Sequence, residues 1–165
     1  MISDSPYQSG ELVLASRVGI VAGLIGSALM LAPLELASQT TPASRDWLLK
    51  LAGVIPGSAI YAPFQLLVTG GVIHAILGAA LGLLFAVCLQ RMPRYAMIVV
   101  GLFYGLVLWV VGGLITRVLF ADHLRGVVQS TVYLRACLVY GLVLSGAAAL
   151  STGLDRKPIP ILPKD

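Results

Sequence analysis

The sequence predicts an all-α fold, an integral membrane bundle of four transmembrane helices with a short interfacial helix between the first two. Three observations carry that prediction. Of the 165 residues, 58% are hydrophobic and only 11% charged, with a mean hydropathy of +0.95. Soluble domains run at roughly 45–50% apolar and about 25% charged. The apolar residues fall into four runs of about the length that crosses a hydrocarbon core of about 30 Å as a helix. The polar segments between the runs are too short to bury a core of their own, so residues 1–165 form a single membrane domain.

The first run, Val18 to Leu34, is the shortest, and Pro33 is expected to kink or end it near Glu35. Its leader, MISDSPYQSGELVLAS, lacks the basic segment of a signal peptide, so the run reads as a retained helix. Next comes SRDWLLKLAGVI, about residues 45–55, which Ser44 can cap. Trp47, Leu48, Leu51 and Ile55 share one face there, while Arg45, Asp46 and Lys50 share the other, a pattern that suits the membrane interface plane. An ordinary loop helix packed on the bundle would show the same pattern. Pro56 and Gly57 end it. The second run, 70–89, can begin earlier because Pro63 suits the first turn of a helix. Pro93 sits where the third, 95–116, should start. The segment ADHLRGVVQ, 121–129, reads as a polar loop, with Ser130 able to cap the fourth helix, 136–154. The tail 155–165, with prolines at 158, 160 and 163, reads as extended and polyproline-like.

Four spans put both termini on one side of the membrane, side A. Side A then carries Arg17, Arg91, Arg94, Arg156, Lys157 and Lys164, and side B carries Arg45, Lys50, Arg117, Arg125 and Arg135. The tight Arg-Met-Pro-Arg turn points to side A as cytoplasmic. No basic block interleaved with aromatics suggests nucleic acid; the lipid bilayer, with its anionic headgroups, is the expected partner of the net charge of +4. Cys88 falls near side A and Cys137 near side B. A bridge between them is excluded, because a disulfide needs Cα atoms within about 7 Å.

Helices in lipid associate through small residues spaced four apart. Such ridges occur in every span: Gly19, Gly23 and Ser27; Gly78, Gly82 and Ala86; Gly101 and Gly105; Gly141, Ser145, Ala149 and Gly153. There is also an internal echo. FYGLVLWVVGGL (103–114) and VYGLVLSGAAAL (139–150) share Tyr-Gly-Leu-Val-Leu, as a duplication with pseudo-symmetry would leave behind, or as chance produces in a Gly, Leu and Val-rich alphabet. A true duplication would put Tyr104 and Tyr140 in matched packing positions.

His74 is the chemically distinctive residue of the spans. Counting from Arg91 at about 1.5 Å per residue, it lies roughly 25 Å away, just inside the side-B boundary, where Glu35, Asp122, His123, Arg117 and Arg135 also collect. An ionisable residue in a membrane is a functional candidate by default; a neutral histidine donating one hydrogen bond between helices explains it as well. Metal binding needs three or four converging ligands, and the pieces here lie on separate segments. Bis-histidine haem needs a second histidine at the same depth, whereas His123 is in the polar loop. There is no phosphate-cradling loop, no metalloprotease motif, no nucleophile elbow and no acidic relay through the spans. No enzyme activity, metal or cofactor is expected.

The order GGVIHAILGAALGLLFAV, FYGLVLWVVGG, LVYGLVLSGAAAL after a glycine-rich first span resembles the uncharacterised four-span bacterial inner-membrane proteins of the YagU-like kind, over about residues 17–154. That resemblance implies the fold and supplies no reaction and no site residues. Three functions stay open: a non-catalytic subunit of a larger membrane complex of respiratory or photosynthetic type, partnered by other membrane subunits; a small oligomeric transporter or pore for an uncharged solute; and a cofactor- or quinone-binding subunit centred on His74. The first agrees best with the packing ridges and the missing chemistry.

Overall fold

The computed structural model describes residues 6–38, 47–89, 92–119 and 124–154. Helix α1 is Pro6–Ser38, α2 is Trp47–Ala52, α3 is Pro63–Leu89, α4 is Arg94–Leu119, α5 is Arg125–Val128 and α6 is Thr131–Leu154, with one 3₁₀ turn at Ser58–Ile60. Four of them are long and apolar enough to cross a membrane, over Leu12–Leu34, Pro63–Cys88, Tyr95–Val118 and Thr131–Ser151. The chain is therefore an all-α, multi-pass membrane bundle.

Its helices are not arranged as a simple square. Helix α1 lies against both α3 and α6, and α4 lies against α6. The small-residue ridges set these contacts. A methyl group added to Gly19 would stand 2.6 Å from both the Ala86 Cβ and the Gly82 carbonyl oxygen, and one on Gly78 would stand 2.5 Å from the Ser27 Cβ. Gly23 and Gly82 meet the backbones of Gly78 and Gly19 in the same way, so α1 and α3 run antiparallel in backbone contact. On the other flank, Gly101 of α4 faces Gly141 and Ser145 of α6, and Gly105 faces Cys137. Without side chains in the way, the backbones approach closely and gain dispersion that lipid tails cannot match.

Helices α3 and α4, joined by the shortest connection between two spans, are bridged by side chains: Phe85 and Tyr104 meet edge to face with ring centroids 5.1 Å apart. The starts of α1 and α4 and the ends of α3 and α6 therefore lie at one end of the bundle, here end A. Helices α2 and α5 sit at end B.

Several expectations need correction. Helix α1 starts at Pro6, well inside the stretch read as a polar leader, because Leu12 to Ala15 continue its apolar character and a proline is tolerated in a first turn. Pro33 does not end it; the helix runs to Ser38, since a proline this near a C-terminus removes one hydrogen bond from a helix that is otherwise held. The fourth helix begins at Thr131, five residues before the expected start. Its cap is Ser130, whose hydroxyl accepts from the Tyr133 N–H at 3.2 Å and donates to the Val127 carbonyl at 2.5 Å.

The stretch read as a polar loop holds α5, and Leu124, Val127 and Val128 are buried there. Its apolar residues serve as a plug between α4 and α6. The helix between the first two spans ends at Ala52, before the expected 55, and its apolar face turns inward: Trp47, Leu51 and Ala52 are buried, while Ile55 is exposed. Helix α2 crosses α3 at Gly70, against the Leu48 carbonyl, with no room for a side chain. The chain then reverses at Gly57, whose φ of +80° favours glycine. The expected cap Ser44, the polar face residues Arg45 and Asp46, and the tail 155–165 lie outside the described residues.

Candidate functional site

The structure gathers polar and aromatic side chains inside end B, around His74. The histidine is buried, and its Nε2 is 2.9 Å from the Ser27 carbonyl oxygen of α1. A carbonyl only accepts, so Nε2 carries a hydrogen and donates it. Trp47 of α2 stands edge-on to the imidazole, with centroids 6.3 Å apart and planes at 85°. The same indole tilts onto Tyr133 of α6 at 5.5 Å. Three elements thus meet at one histidine, and Trp47 links them to a fourth, α6. Helix α2 positions Trp47 there because its docking at Gly70 is so close.

Below this group, toward the middle of the bundle, two tyrosines from different helices reach the same neighbour. Tyr140 of α6 donates to the Gly78 carbonyl at 2.6 Å, and Tyr104 of α4 donates to the Leu81 carbonyl at 2.9 Å. These are the tyrosines of the internal echo, and the glycines that follow them, Gly105 and Gly141, meet at the α4–α6 crossing. Several other hydroxyls bond locally: Ser27 to Leu24, Thr116 to Gly112 and Gly113, and Ser145 to Leu142. Such bonds satisfy a polar atom in lipid without a partner helix. Two donors differ, because the indole nitrogens of Trp47 and Trp109 are buried with no hydrogen-bond partner.

Of the expected side-B cluster, the structure describes the side chains of His74, Arg117 and Arg135. His74 is in place, and Arg117 and Arg135 are exposed on α4 and α6. Asp122 and His123 lie outside the described residues, and Glu35 is placed by its backbone alone, in the last turn of α1. Among the described residues no group of three His, Cys, Asp or Glu side chains comes together. The two thiols are free, Cys88 exposed and Cys137 buried beside Gly105. Of the packing residues, Gly19, Gly23, Gly78, Gly82, Gly101, Gly105, Gly141 and Ser145 stand at helix crossings. Ala149 is half-buried, and Gly153 lies where only the backbone is described.

A family model described as Family of unknown function (DUF6789) matches residues 13–157. The chain belongs to that family. No curated protein and no solved structure matches it. In this DUF6789 chain the residues around His74 that sequence reasoning missed are Tyr133 and the inward-facing Trp47. Trp47 was legible as an apolar residue on an amphipathic helix, and only its direction was not. Tyr133 sits on the same stripe of α6 as Cys137, Tyr140 and Leu144, at helical spacing, which marks a buried face and nothing more specific.

Proposed function

We propose that the chain is a non-catalytic integral membrane subunit that packs into and stabilises a larger membrane complex. The observation that carries this reading is where the cross-helix polar groups go. His74, Tyr104 and Tyr140 each donate to a backbone carbonyl of a neighbouring helix, so they join helices and leave no donor of theirs aimed at a solute. A chain built this way offers shape and an apolar outer surface to other membrane subunits. It suits a bacterial inner membrane, with both termini on one side, the cytoplasm.

Gly141 and Ser145 face α4 of the same chain, so a leucine there would break the bundle itself. Gly113 and Gly146 have open space around them, and leucine at those positions tests for a helix packed from outside. Gentle solubilisation of native membranes followed by native electrophoresis should place the chain in a band far larger than 17.3 kDa plus detergent, together with other polypeptides. A lone monomer or homo-oligomer that moves a solute across liposomes would replace this reading with the transporter. Labels at residue 40 and at the exposed Gln129 should report the side opposite the termini.

One observation favours the cofactor-binding alternative: the unpartnered indole donors of Trp47 and Trp109, the former touching His74. A quinone or pigment that co-purifies with the chain and is lost in Trp47→Phe would establish it.

A further inference from the structure

The start of α6 lies unusually deep in the bundle. Val128, at the end of α5, comes within 3.7 Å of where a Cβ on Gly112 would be, and the Tyr133 hydroxyl within 3.5 Å of the same point. Arg117, at the end-B boundary of α4, is five residues beyond Gly112 along a continuous helix. The α5–α6 junction is therefore dipped about 7 Å below Arg117. The same register, with Gly105 against Cys137 and Gly101 against Gly141, sets Arg135 at about the level of Val107, roughly 15 Å below Arg117.

From Arg94 to Arg117 α4 rises about 35 Å, only slightly more than a hydrocarbon core of about 30 Å. Arg135 thus originates inside the apolar slab. It is exposed, on the outward stripe that also carries Leu142 and Leu150, which are 42% and 76% exposed. The four spans contain three cations, Arg17, Arg117 and Arg135, and no acidic residue. No span supplies a counter-ion at that depth. An arginine facing lipid there must extend its stem toward the headgroups or draw polar groups inward. Arg125 is exposed on α5 at the same dip, and the described residues of that end also include Lys50 and Arg117.

We propose that the α5–α6 dip binds the phosphate of an anionic phospholipid headgroup, with Arg135 as its principal contact and Arg125 beside it. The planar guanidinium matches phosphate oxygens in bidentate geometry. The dip lets the headgroup sink to meet it, while the acyl chains lie along the α6 stripe of Leu142 and Leu150.

The test uses the full chain in an uncharged detergent. Thermal unfolding is followed with added phosphatidylglycerol, phosphatidylcholine or inorganic phosphate, and lipid affinity is read by native mass spectrometry. Phosphatidylglycerol should raise the midpoint by several degrees and the other two should not. Arg135→Gln should weaken phosphatidylglycerol binding at least fivefold. Lys164→Gln, which removes the same charge from the tail, should leave it within twofold, and Arg135→Lys should retain part of it. Equal effects of the two lipids, or equal losses in Arg135→Gln and Lys164→Gln, would overturn the proposal. So would stabilisation by inorganic phosphate as great as by phosphatidylglycerol, which would make the dip a free-phosphate site.

Discussion

Gly19→Ala is the most informative single change to the bundle. The added methyl would stand 2.6 Å from the Ala86 Cβ, 2.6 Å from the Gly82 carbonyl oxygen and 3.1 Å from the Gly82 carbonyl carbon. Carbon–carbon contacts settle at about 3.5–4.0 Å and Cα–H···O contacts at about 3.3–3.6 Å. Helices α1 and α3 must therefore part by roughly 1 Å, and neither neighbour is the free end of a flexible side chain. A gap of about 0.5–1 Å already forfeits a quarter to a half of each dispersion contact along the crossing. Overpacking of this kind costs about 1–3 kcal/mol.

The substitution also gains up to about 1 kcal/mol of helix propensity, so the comparison must cancel that gain. Gly71→Ala does so: it lies in α3 with nothing within 4 Å of its Cβ position. Reversible unfolding of the two full-length variants in mild detergent, titrated with a denaturing detergent, should show Gly19→Ala less stable by about 1–3 kcal/mol. In equilibrium constant that is roughly 5- to 150-fold. Equal stabilities would mean that α1 and α3 do not cross at this glycine, and the order of helices derived from it would fall.

Three further outcomes are expected. His74→Gln should change stability by no more than about 0.6 kcal/mol, the average for an interhelical hydrogen bond, since an amide can donate to the Ser27 carbonyl in its place; loss of a bound quinone or pigment in that variant would make His74 a ligand. Tyr104→Phe and Tyr140→Phe should each cost about 0.6 kcal/mol and at most about 1.7 kcal/mol in the same unfolding assay. Because both hydroxyls hold α3, a double-mutant cycle should show coupling beyond the roughly 0.3–0.5 kcal/mol expected of independent sites. Trp47→Phe should cost clearly less than Trp47→Ala, because the lost indole N–H has no partner and the ring contacts with His74 and Tyr133 are largely kept; equal losses would show that the N–H is satisfied in the membrane.

The fold class was legible because the bilayer restricts the choices. A chain this apolar, cut into runs of membrane length, can satisfy its backbone in lipid only within helices or a closed barrel. Composition and run length therefore determined an all-α bundle. Spacing determined more: glycines four apart must face a helix, and most of those singled out stand at crossings in the structure. The sequence could not say which ridge meets which. Gly19 and Gly23 found α3, and Gly101 and Gly105 found α6, through matched spacing across segments distant in the chain. Many pairings share that spacing, and only simultaneous packing of all four helices selects one.

The candidate site shows the same division. His74 stood out because a polar side chain in an apolar run is costly. Its surroundings did not, since Trp47, Tyr133 and the Ser27 carbonyl come from three other helices, and a carbonyl leaves no mark in sequence. The direction of α2 was likewise open, because an apolar face packs equally well on lipid or on a bundle. The close approach at Gly70 decided it. The depth of Arg135 was equally hidden: ADHLRGVVQ reads as a loop, yet Leu124, Val127 and Val128 fill the space between α4 and α6 and pull the start of the last helix inward. Sequence alone determined which residues are expensive in a membrane, and tertiary packing decided how deep each lies and what answers it, because depth and partner depend on neighbours that no local pattern encodes.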